Sequence, residues 1–358
     1  MTATHALLYR YAIPFTEAIT VQGHQQLQRE GIILALKTAA EDHTAYGEIA
    51  PLPGLHKESL ESAEEQLVKL LAKHETVDHR ILHDGLFPSV RTGLEMAIIN
   101  LNAALTGKAP SFSGSAAPRS QHVPVNALLF GDTKQVIQRA ENYFNIGYRT
   151  FKLKISAGNS DTAIRSIEAL HNIFGNTIEV RLDANQSFSF DEALYLAREI
   201  PDGIVSYIEE PLTHAEHIGE FYAKTAIRSA LDETLWQKPE LLDHIPAKAL
   251  SALILKPNRL GGISVALELA RWAAAHNLLT VFSSAFESGI SLSFYSWIAA
   301  SLSSEPAACG LDTYRYLKDD LLATHFRAEN GVLDAYNLYR EGLIVNHREL
   351  KPLSLWTV

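Results

Sequence analysis

The segment Thr150-Phe151-Lys152-Leu153-Lys154-Ile155 decides the fold prediction, because it combines the pattern of a buried strand with two lysines. Side chains alternate between the faces of a strand, so the apolar residues would share one face and Lys152 and Lys154 the other. On its own, such a lysine pair is more often the solvated edge of a sheet. Burying two ammonium groups side by side is costly unless anions compensate them. A buried strand here therefore predicts carboxylates nearby, supplied by other parts of the chain.

Similar β-rich runs recur from residue 122 onward, and helical patterns separate them. The runs cover residues 122–130, 150–156, 179–185, 205–211, 229–234, 252–257, 279–284 and 309–313. Their spacing is that of successive strand-helix units. In residues 189–192, Ser-Phe-Asp-Glu is a capping-box sequence that predicts the start of one of the helices. Parallel strands joined by helices in this order predict an α/β fold, a (β/α)7β-type TIM barrel.

The beginning of the chain has a different pattern. It starts with hairpin-like alternation and the apolar run 31–36, and helical patterns follow at 58–74 and 89–105. We therefore predict an N-terminal α+β capping domain over residues 1–115 and a barrel domain over 116–320. The Ser-, Pro-, Gly- and Ala-rich segment 107–121 would link them. Residues 321–358 continue no strand-helix pattern, and we expect them to pack back on the capping domain.

Composition excludes several classes of function. The 358 residues carry a formal net charge of −10, which argues against a nucleic-acid partner because phosphate binding needs a basic surface. A single cysteine, Cys309, excludes an intramolecular disulfide and suits a reducing compartment. No apolar stretch of membrane-spanning length occurs, and the N-terminus lacks a basic start before an apolar run. We expect a cytoplasmic protein with a small-molecule partner and no membrane partner; no oligomeric state follows from the sequence.

Three consecutive predicted strands end in carboxylates. Asp183 is followed two residues later by Asn185, and the next two strands end in the pairs Glu209-Glu210 and Asp232-Glu233. Taken singly, Asp183 could cap a helix and the glutamates could lie in an exposed loop. Barrel enzymes, however, place their active sites at the carboxyl ends of the strands. Carboxylates from three such ends supply the oxygen ligands that Mg²⁺, or Mn²⁺, prefers.

A third lysine, Lys256, ends the predicted strand across the barrel from Lys152 and Lys154. Opposed lysines beside a divalent cation indicate removal of a proton next to a carboxylate. That proton is very weakly acidic, because its loss concentrates two negative charges on one enediolate. A lysine removes it only when neutral, and the neighbouring Lys152 and cation both disfavour protonation of Lys154.

The combined set of motifs resembles the muconate-lactonizing branch of the enolase superfamily over nearly the whole chain. The motifs are Lys152-Leu153-Lys154, Asp183-Ala184-Asn185, Glu209-Glu210-Pro211, Asp232-Glu233 and Lys256-Pro257. Within that branch, residues 47–54, 283–288 and 310–313 resemble the o-succinylbenzoate synthase family. These enzymes dehydrate a cyclohexadiene carboxylate during menaquinone or phylloquinone biosynthesis.

The resemblance implies a role for each motif. Lys154 would remove the α-proton and then, as an acid, assist loss of hydroxide from the same face, while Lys256 would hold the enediolate from the opposite face. Three carboxylates would bind the metal: Asp183, Glu209 and Asp232. Three further residues would support these ligands from behind: Asn185, Glu210 and Glu233. The substrate would be held by Lys152, Arg181, Ser283 and Gly310, under segments 15–23 and 54–55 of the first domain.

Two alternatives remain open. The same barrel could racemise N-succinylamino acids or epimerise dipeptides, with Lys154 and Lys256 exchanging protons on opposite faces. Dipeptide epimerases usually carry Asp-x-Asp near the last strand to hold an ammonium group, whereas residues 310–313 offer only Asp312. A lower-ranked alternative is a catalytically silent barrel that acts as a binding protein.

Overall fold

The computed structural model describes residues 3–40, 43–112, 118–201 and 203–357. Its strands are β1 (His5–Val21), β2 (His24–Lys37), β3 (Thr44–Ile49), β4 (His122–Pro124), β5 (Asn126–Leu129), β6 (Thr150–Lys154), β7 (Glu179–Asp183), β8 (Val205–Glu209), β9 (Ser229–Leu231), β10 (Leu250–Leu255), β11 (Leu279–Phe282), β12 (Val332–Asp334) and β13 (Lys351–Thr357). Its helices are α1 (Leu60–Leu71), α2 (Pro88–Thr106), α3 (Thr133–Asn145), α4 (Ser160–Phe174), α5 (Phe190–Glu199), α6 (Ile218–Thr225), α7 (Thr234–Gln237), α8 (Pro257–Leu260), α9 (Ile263–Ala275), α10 (Gly289–Leu302) and α11 (Ala335–Glu341).

Strands β5 to β11 form one curled parallel sheet in chain order. Its two edges meet through residues 309–310, because Cys309 bridges Val125 and Gly310 bridges Ser283 in parallel pairing. The bridging segment takes the place of an eighth strand. The fold is therefore the predicted α/β barrel, and it leaves the carboxyl ends of the strands at one rim.

The alternation predicted for the lysine-bearing segment is present in β6. Phe151 and Leu153 are buried in the main hydrophobic core, at 0% and 2% exposure, whereas the two lysines point to the other face. Helix α5 begins where the capping box predicts, since the Ser189 side chain accepts a hydrogen bond from the Glu192 amide. Local patterns thus determine both the strand faces and this helix start.

A second, antiparallel sheet is built from the beginning of the chain and its end, in the order β13-β1-β2-β3. Helices α1 and α2 pack against it around a separate hydrophobic core. The predicted boundary between residues 115 and 116 and part of the predicted linker 107–121 lie outside the described residues. The domain limits therefore stay a prediction, although β13 does pair with β1.

Buried polar contacts join this capping domain to the rim of the barrel. Glu48 accepts hydrogen bonds from both the amide and the hydroxyl of Ser288, at 2.9 Å each, and from the Ser291 amide at the start of α10. Arg29, only 1% exposed, donates to the Phe286 carbonyl of the barrel and to the Pro51 carbonyl of its own domain. Since a buried charge without partners is costly, these contacts hold the two domains in one arrangement.

Helix α10 is almost entirely buried, from Gly289 to Ser301, and it packs against α11 and β3. At 14 residues it is shorter than the roughly 20 apolar residues that span a bilayer. Among the helices of the described ranges, none is long and apolar enough to cross a membrane.

Candidate active site

Parallel register places three predicted site residues in one row across the barrel. Lys154 on β6 pairs laterally with Asp183 on β7, and Asp183 pairs with Glu209 on β8. The Lys154 ammonium donates to Asp183 Oδ2 at 2.6 Å and to Asn185 Oδ1 at 2.8 Å. The anions that the lysine pair requires are therefore supplied by the next two strands.

Lys152 begins one row lower on β6 but reaches the same carboxylates. Its ammonium lies 2.7 Å from Asp183 Oδ2 and 2.8 Å from Glu209 Oε1. Burial acts to lower the pKa of Lys152, but the carboxylates of Asp183, Glu209 and Asp232 outweigh it, and the pKa lies well above the usual range. Lys152 thus bridges two strands as a buried positive charge.

Arg181 shares the row of Lys152 but does not reach the site. Arg181 is 2% exposed. Its guanidinium donates to Glu179 at 2.9 Å and to the Ala308 carbonyl, and it lies over the Tyr207 ring. These partners lie toward the amino end of the barrel, away from the rim. The predicted substrate contact of Arg181 does not fit this placement, because alternation fixes the face of a side chain and not its height in the barrel.

Asp232 and Lys256 complete the ring of charges on the far side. The Lys256 ammonium donates to Asp232 Oδ2, while Asp232 Oδ1 is buried and has no hydrogen-bond partner among the residues that the structure describes. Burial acts to lower the pKa of Lys256, but Asp232 and then Glu233 outweigh it, and the pKa is raised. In the barrel, β6 and β10 are separated by three strands on one side, so Lys154 and Lys256 face each other across the rim.

The carboxylates of the site differ in charge balance. Burial raises the pKa of Asp183, but the Lys152 and Lys154 ammonium groups outweigh it and hold the pKa below its usual range. Burial, reinforced by Asp183, instead raises the pKa of Glu209 to about 8. Burial, reinforced by Asp232, raises the pKa of Glu233 to about 7. The three lysines thus neutralise the cluster unevenly.

Two of the predicted supporting residues organise the turns behind the site. Glu210 accepts hydrogen bonds from the amides of Asp232 and Thr234, at 2.8 and 2.7 Å, and so shapes the turn that carries Asp232. Asn185 accepts from Lys154 and donates to Glu233 Oε1 at 2.9 Å. Both residues have positive φ angles, 45° for Glu210 and 43° for Asn185. Such backbone strain persists only where surrounding contacts over-determine it, and it recurs at functional sites.

A cavity of about 640 Å³ opens above this cluster. It is lined by the predicted residues Lys152, Lys154, Asn185, Glu233, Lys256, Ser283 and Gly310. Asp183, Glu209 and Asp232 are not part of the lining, since they are at most 1% exposed and contact the lysines. Lys154 is the most accessible of the three lysines, with 39% side-chain exposure against 15% for the others.

The capping domain closes one side of the cavity. Segment 15–23, predicted as a covering loop, is the end of the β1–β2 hairpin, and its residues 20–22 line the cavity. Leu55, from the predicted segment 54–55, lines it as well, and so does Leu52. Phe15 instead packs edge-on against Phe286, with ring centroids 5.7 Å apart. The capping domain thus adds both hairpin backbone and apolar surface to the cavity.

Several lining residues were not predicted. Asn126 and Leu128 lie on the inward face of β5, where an asparagine in an apolar run was a usable signal. Gln237, Phe286 and Tyr316 come from connections beyond the strand ends. No periodic pattern marks residues of such connections, so only the tertiary structure identifies them.

Three buried carboxylates of the site have the donor atoms that a metal ion could bind. Asp183, Glu209 and Asp232 offer hard oxygen ligands from adjacent strand ends. Asp232 Oδ1, which has no partner within the described part of the chain, is a buried acceptor that a cation would satisfy. Within the described ranges, no three acidic, histidine or cysteine side chains are grouped closely enough to hold a metal as they stand. The chemistry of these oxygen donors nevertheless fits Mg²⁺.

Two family models match the chain. One, described as enolase C-terminal domain-like, covers residues 135–346, and the other, described as MenC, N-terminal domain, covers residues 3–101. The solved structure of the dipeptide epimerase from Enterococcus faecalis V583, complexed with Mg and the dipeptide L-Leu-L-Tyr, is similar with a TM-score of 0.80. That match covers 93% of this chain and 97% of the epimerase at 17% identity, and it establishes the fold alone.

Curated relatives carry one recurring activity. The o-succinylbenzoate synthase of Vibrio cholerae is 30% identical, and the match covers 86% of this chain and 89% of the relative. Protein PHYLLO, chloroplastic, from Arabidopsis thaliana is also 30% identical over 97% of this chain, which spans only 23% of that longer protein. The two family models and the bacterial match agree with the arrangement of lysines and carboxylates. The chain therefore belongs to the o-succinylbenzoate synthase family of the enolase superfamily.

Proposed function

We propose that the protein is a Mg²⁺-dependent dehydratase that converts 2-succinyl-6-hydroxy-2,4-cyclohexadiene-1-carboxylate to 2-succinylbenzoate in menaquinone or phylloquinone biosynthesis. The observation that carries the proposal is the opposition of Lys154 and Lys256 across a cavity, above carboxylates from three successive strand ends. The similarity to o-succinylbenzoate synthases over most of the chain supports the choice of substrate.

The lysines divide the chemistry between the two faces of the substrate. Lys154, the most accessible of the three, removes the α-proton from the ring carbon that bears the carboxylate. The same ammonium then donates a proton to the departing hydroxide, so that water leaves from the face that lost the proton. Lys256 holds the enediolate electrostatically from the other face. Lys152, fixed by Asp183 and Glu209, adds a positive charge near the substrate carboxylate.

Asp183, Glu209 and Asp232 are the proposed ligands of Mg²⁺, with Mn²⁺ as a possible substitute. When bound, the ion supplies positive charge that stabilises the second negative charge of the enediolate. Glu210 holds the turn that presents Asp232, while Asn185 and Glu233 support the arrangement through their shared hydrogen bond. The proposed partner is a small-molecule carboxylate. We also propose a cytoplasmic location, which the single cysteine supports because it excludes an intramolecular disulfide.

Direct assay of the purified protein tests the activity. With the cyclohexadiene substrate and Mg²⁺, we expect the ultraviolet absorbance of the diene to be replaced by that of the aromatic product. Product identity is checked by mass spectrometry as loss of one water. Absence of aromatisation with substrate that a known synthase converts would contradict the proposed function.

Replacing one proposed ligand tests the metal site without relying on turnover. We expect Asp232→Asn to weaken Mg²⁺ binding, measured by titration calorimetry, by about tenfold to a hundredfold, since even residues that only support metal ligands typically contribute that much. Asp243→Asn is the matched control, because Asp243 is exposed before β10. Equal Mg²⁺ affinity in the two variants would remove Asp232 from the ligand set.

A racemase or epimerase of the same superfamily is the second candidate, favoured by the opposed lysines and the fold shared with the dipeptide epimerase. One contact weighs against a dipeptide substrate. Asp312 is buried and accepts hydrogen bonds from Tyr148, at 2.6 Å, and Arg315, at 2.9 Å. Its charge is therefore already paired and poorly suited to a substrate ammonium group. Deuterium exchange at the Cα of N-succinylamino acids or dipeptides, followed by NMR, distinguishes this activity from dehydration.

A further inference from the structure

The backbone that follows Lys256 is held by the capping domain rather than by the barrel alone. Thr92 Oγ1 of α2 donates to the Pro257 carbonyl at 2.9 Å. Asn258 is 1% exposed, and its side chain donates to the Ala50 carbonyl at 2.8 Å. The short helix α8 starts directly after Lys256, so these contacts set where that lysine leaves the sheet.

His56 makes a third contact between the capping domain and this backbone, and it also binds a loop that lines the cavity. Its Nε2 lies 2.9 Å from the Asn258 carbonyl oxygen, and its Nδ1 accepts a hydrogen bond from the Leu52 amide at 3.0 Å. Because the amide can only donate, the ring proton must reside on Nε2. Burial, only partly opposed by the Glu58 charge, lowers the pKa of His56 to about 4, which keeps the ring neutral and both hydrogen bonds intact.

The loop that His56 holds is part of the cavity wall. Leu52 and Leu55 both line the cavity, and the backbone turns between them at Gly54 with φ 87°. A Cβ on Gly54 would lie 2.4 Å from the Val21 carbonyl, so this loop packs directly on the tip of the β1–β2 hairpin, which also lines the cavity. One imidazole therefore connects the covering wall to the segment that carries Lys256.

We propose that His56 is a positioning residue for the dehydration, one that fixes the Leu52–Leu55 wall and the Lys256 segment relative to each other through its two ring nitrogens. The inference rests on the proposed function, because it assigns Lys256 a place in the reaction. Its physical basis is that a displacement of about 1 Å at a reacting group can cost about 10²-fold in rate. His56 itself lies outside the cavity lining.

Two conservative variants each remove one of the two hydrogen bonds of His56. In His56→Gln, the side-chain amide nitrogen occupies the place of Nε2 and can still donate to Asn258, whereas the acceptor for Leu52 is lost. In His56→Asn, the amide oxygen replaces Nδ1 and the link to Asn258 is lost. Since one hydrogen bond contributes about 3- to 10-fold, we expect the Gln variant mainly to raise KM and the Asn variant mainly to lower kcat, each by about that factor.

An isotope effect identifies the affected step. With substrate deuterated at the carbon that loses its proton, we expect the isotope effect on kcat to increase in His56→Asn, because a displaced Lys256 slows proton removal. Ser89→Ala is the matched control. It removes a buried 2.8 Å hydrogen bond to Glu58 in the same domain without touching Leu52 or Asn258, so it should lower the melting temperature but leave kcat and the isotope effect unchanged.

The outcomes separate this inference from the proposed function. If the unmodified enzyme converts the substrate but the Gln and Asn variants share the same kcat, KM and isotope effect, the positioning role of His56 is wrong and the function stands. If the unmodified enzyme makes no aromatic product, the proposed function fails first. If both variants are unfolded, their melting temperatures would be lower than that of Ser89→Ala. His56→Ala with added imidazole then tests the positioning role, because recovery of kcat is expected only if the ring nitrogens make the two hydrogen bonds.

Discussion

Lys154→Ala is expected to lower kcat by about 10²-fold to 10⁴-fold, the range that a positioned acid–base group contributes. In the proposed reaction the neutral Lys154 amine takes up the α-proton, and the resulting ammonium gives a proton to the departing hydroxide, so the variant loses the group for both transfers. The fold should survive, because Asp183 keeps its 2.7 Å contact with Lys152 after the change. KM should change little compared with kcat. Stopped-flow absorbance measures the rate, and circular dichroism checks the fold.

Lys248→Ala is the matched control for this variant. Lys248 is exposed and precedes β10, at the end of the barrel opposite the cavity. It should retain the unmodified rate. The proton-abstraction role is further tested by the exchange of the substrate α-proton for deuterium in D2O. This exchange should stop in Lys154→Ala. A near-normal rate, or continued exchange, would assign the base to another residue.

Lys256→Ala is expected to lower kcat by about 10²-fold or more, because it removes electrostatic stabilisation of the enediolate. It differs from Lys154→Ala in its effect on folding. Lys256 is the ammonium in direct contact with the buried Asp232, and leaving one member of a buried pair without its partner typically costs about 3 kcal/mol. Urea unfolding should therefore show a clear loss of stability without metal, and added Mg²⁺ should restore part of it.

Lys238→Ala provides the comparison for stability. It also removes an ion pair, but Lys238 and Glu216 are about half exposed, and such surface pairs typically contribute about 0–1 kcal/mol. Its kcat should equal that of the unmodified enzyme. If Lys256→Ala retained full activity, the enediolate would have to be stabilised without Lys256, and the assignment of roles to the two faces would be wrong.

Strand register alone determines the position of part of the predicted site. Lys154, Asp183 and Glu209 end adjacent strands, and parallel pairing puts their Cα atoms in one row. The alternation of side chains predicts which face of a strand each residue occupies, and the order of the strands predicts which residues are neighbours. Motifs far apart in the chain can therefore be placed together from residue positions alone. The roles of these residues stay predictions until the variants are measured.

Arg181 shows the limit of the same reasoning. It shares a face with Asp183, yet its guanidinium is held by Glu179 and the Ala308 carbonyl instead of lining the cavity. Lys152, in the same row, turns toward the rim because its ammonium finds Asp183 and Glu209 there. Which way a long side chain turns depends on the partners within reach, and those come from other strands.

The sequence by itself determined the barrel, the unusual pair of lysines on one strand, and the acidic strand ends that supply their counter-charges. These features depend only on residue order and on the two-residue period of a strand. Only the tertiary structure decided the height of each side chain in the barrel and the fit of the capping domain on the rim. Contacts such as that of His56 with the Asn258 carbonyl join residues about 200 positions apart with no periodic relation. The lysine pair therefore predicts a charged site from sequence alone. The tertiary structure determines which neighbouring side chains line the cavity.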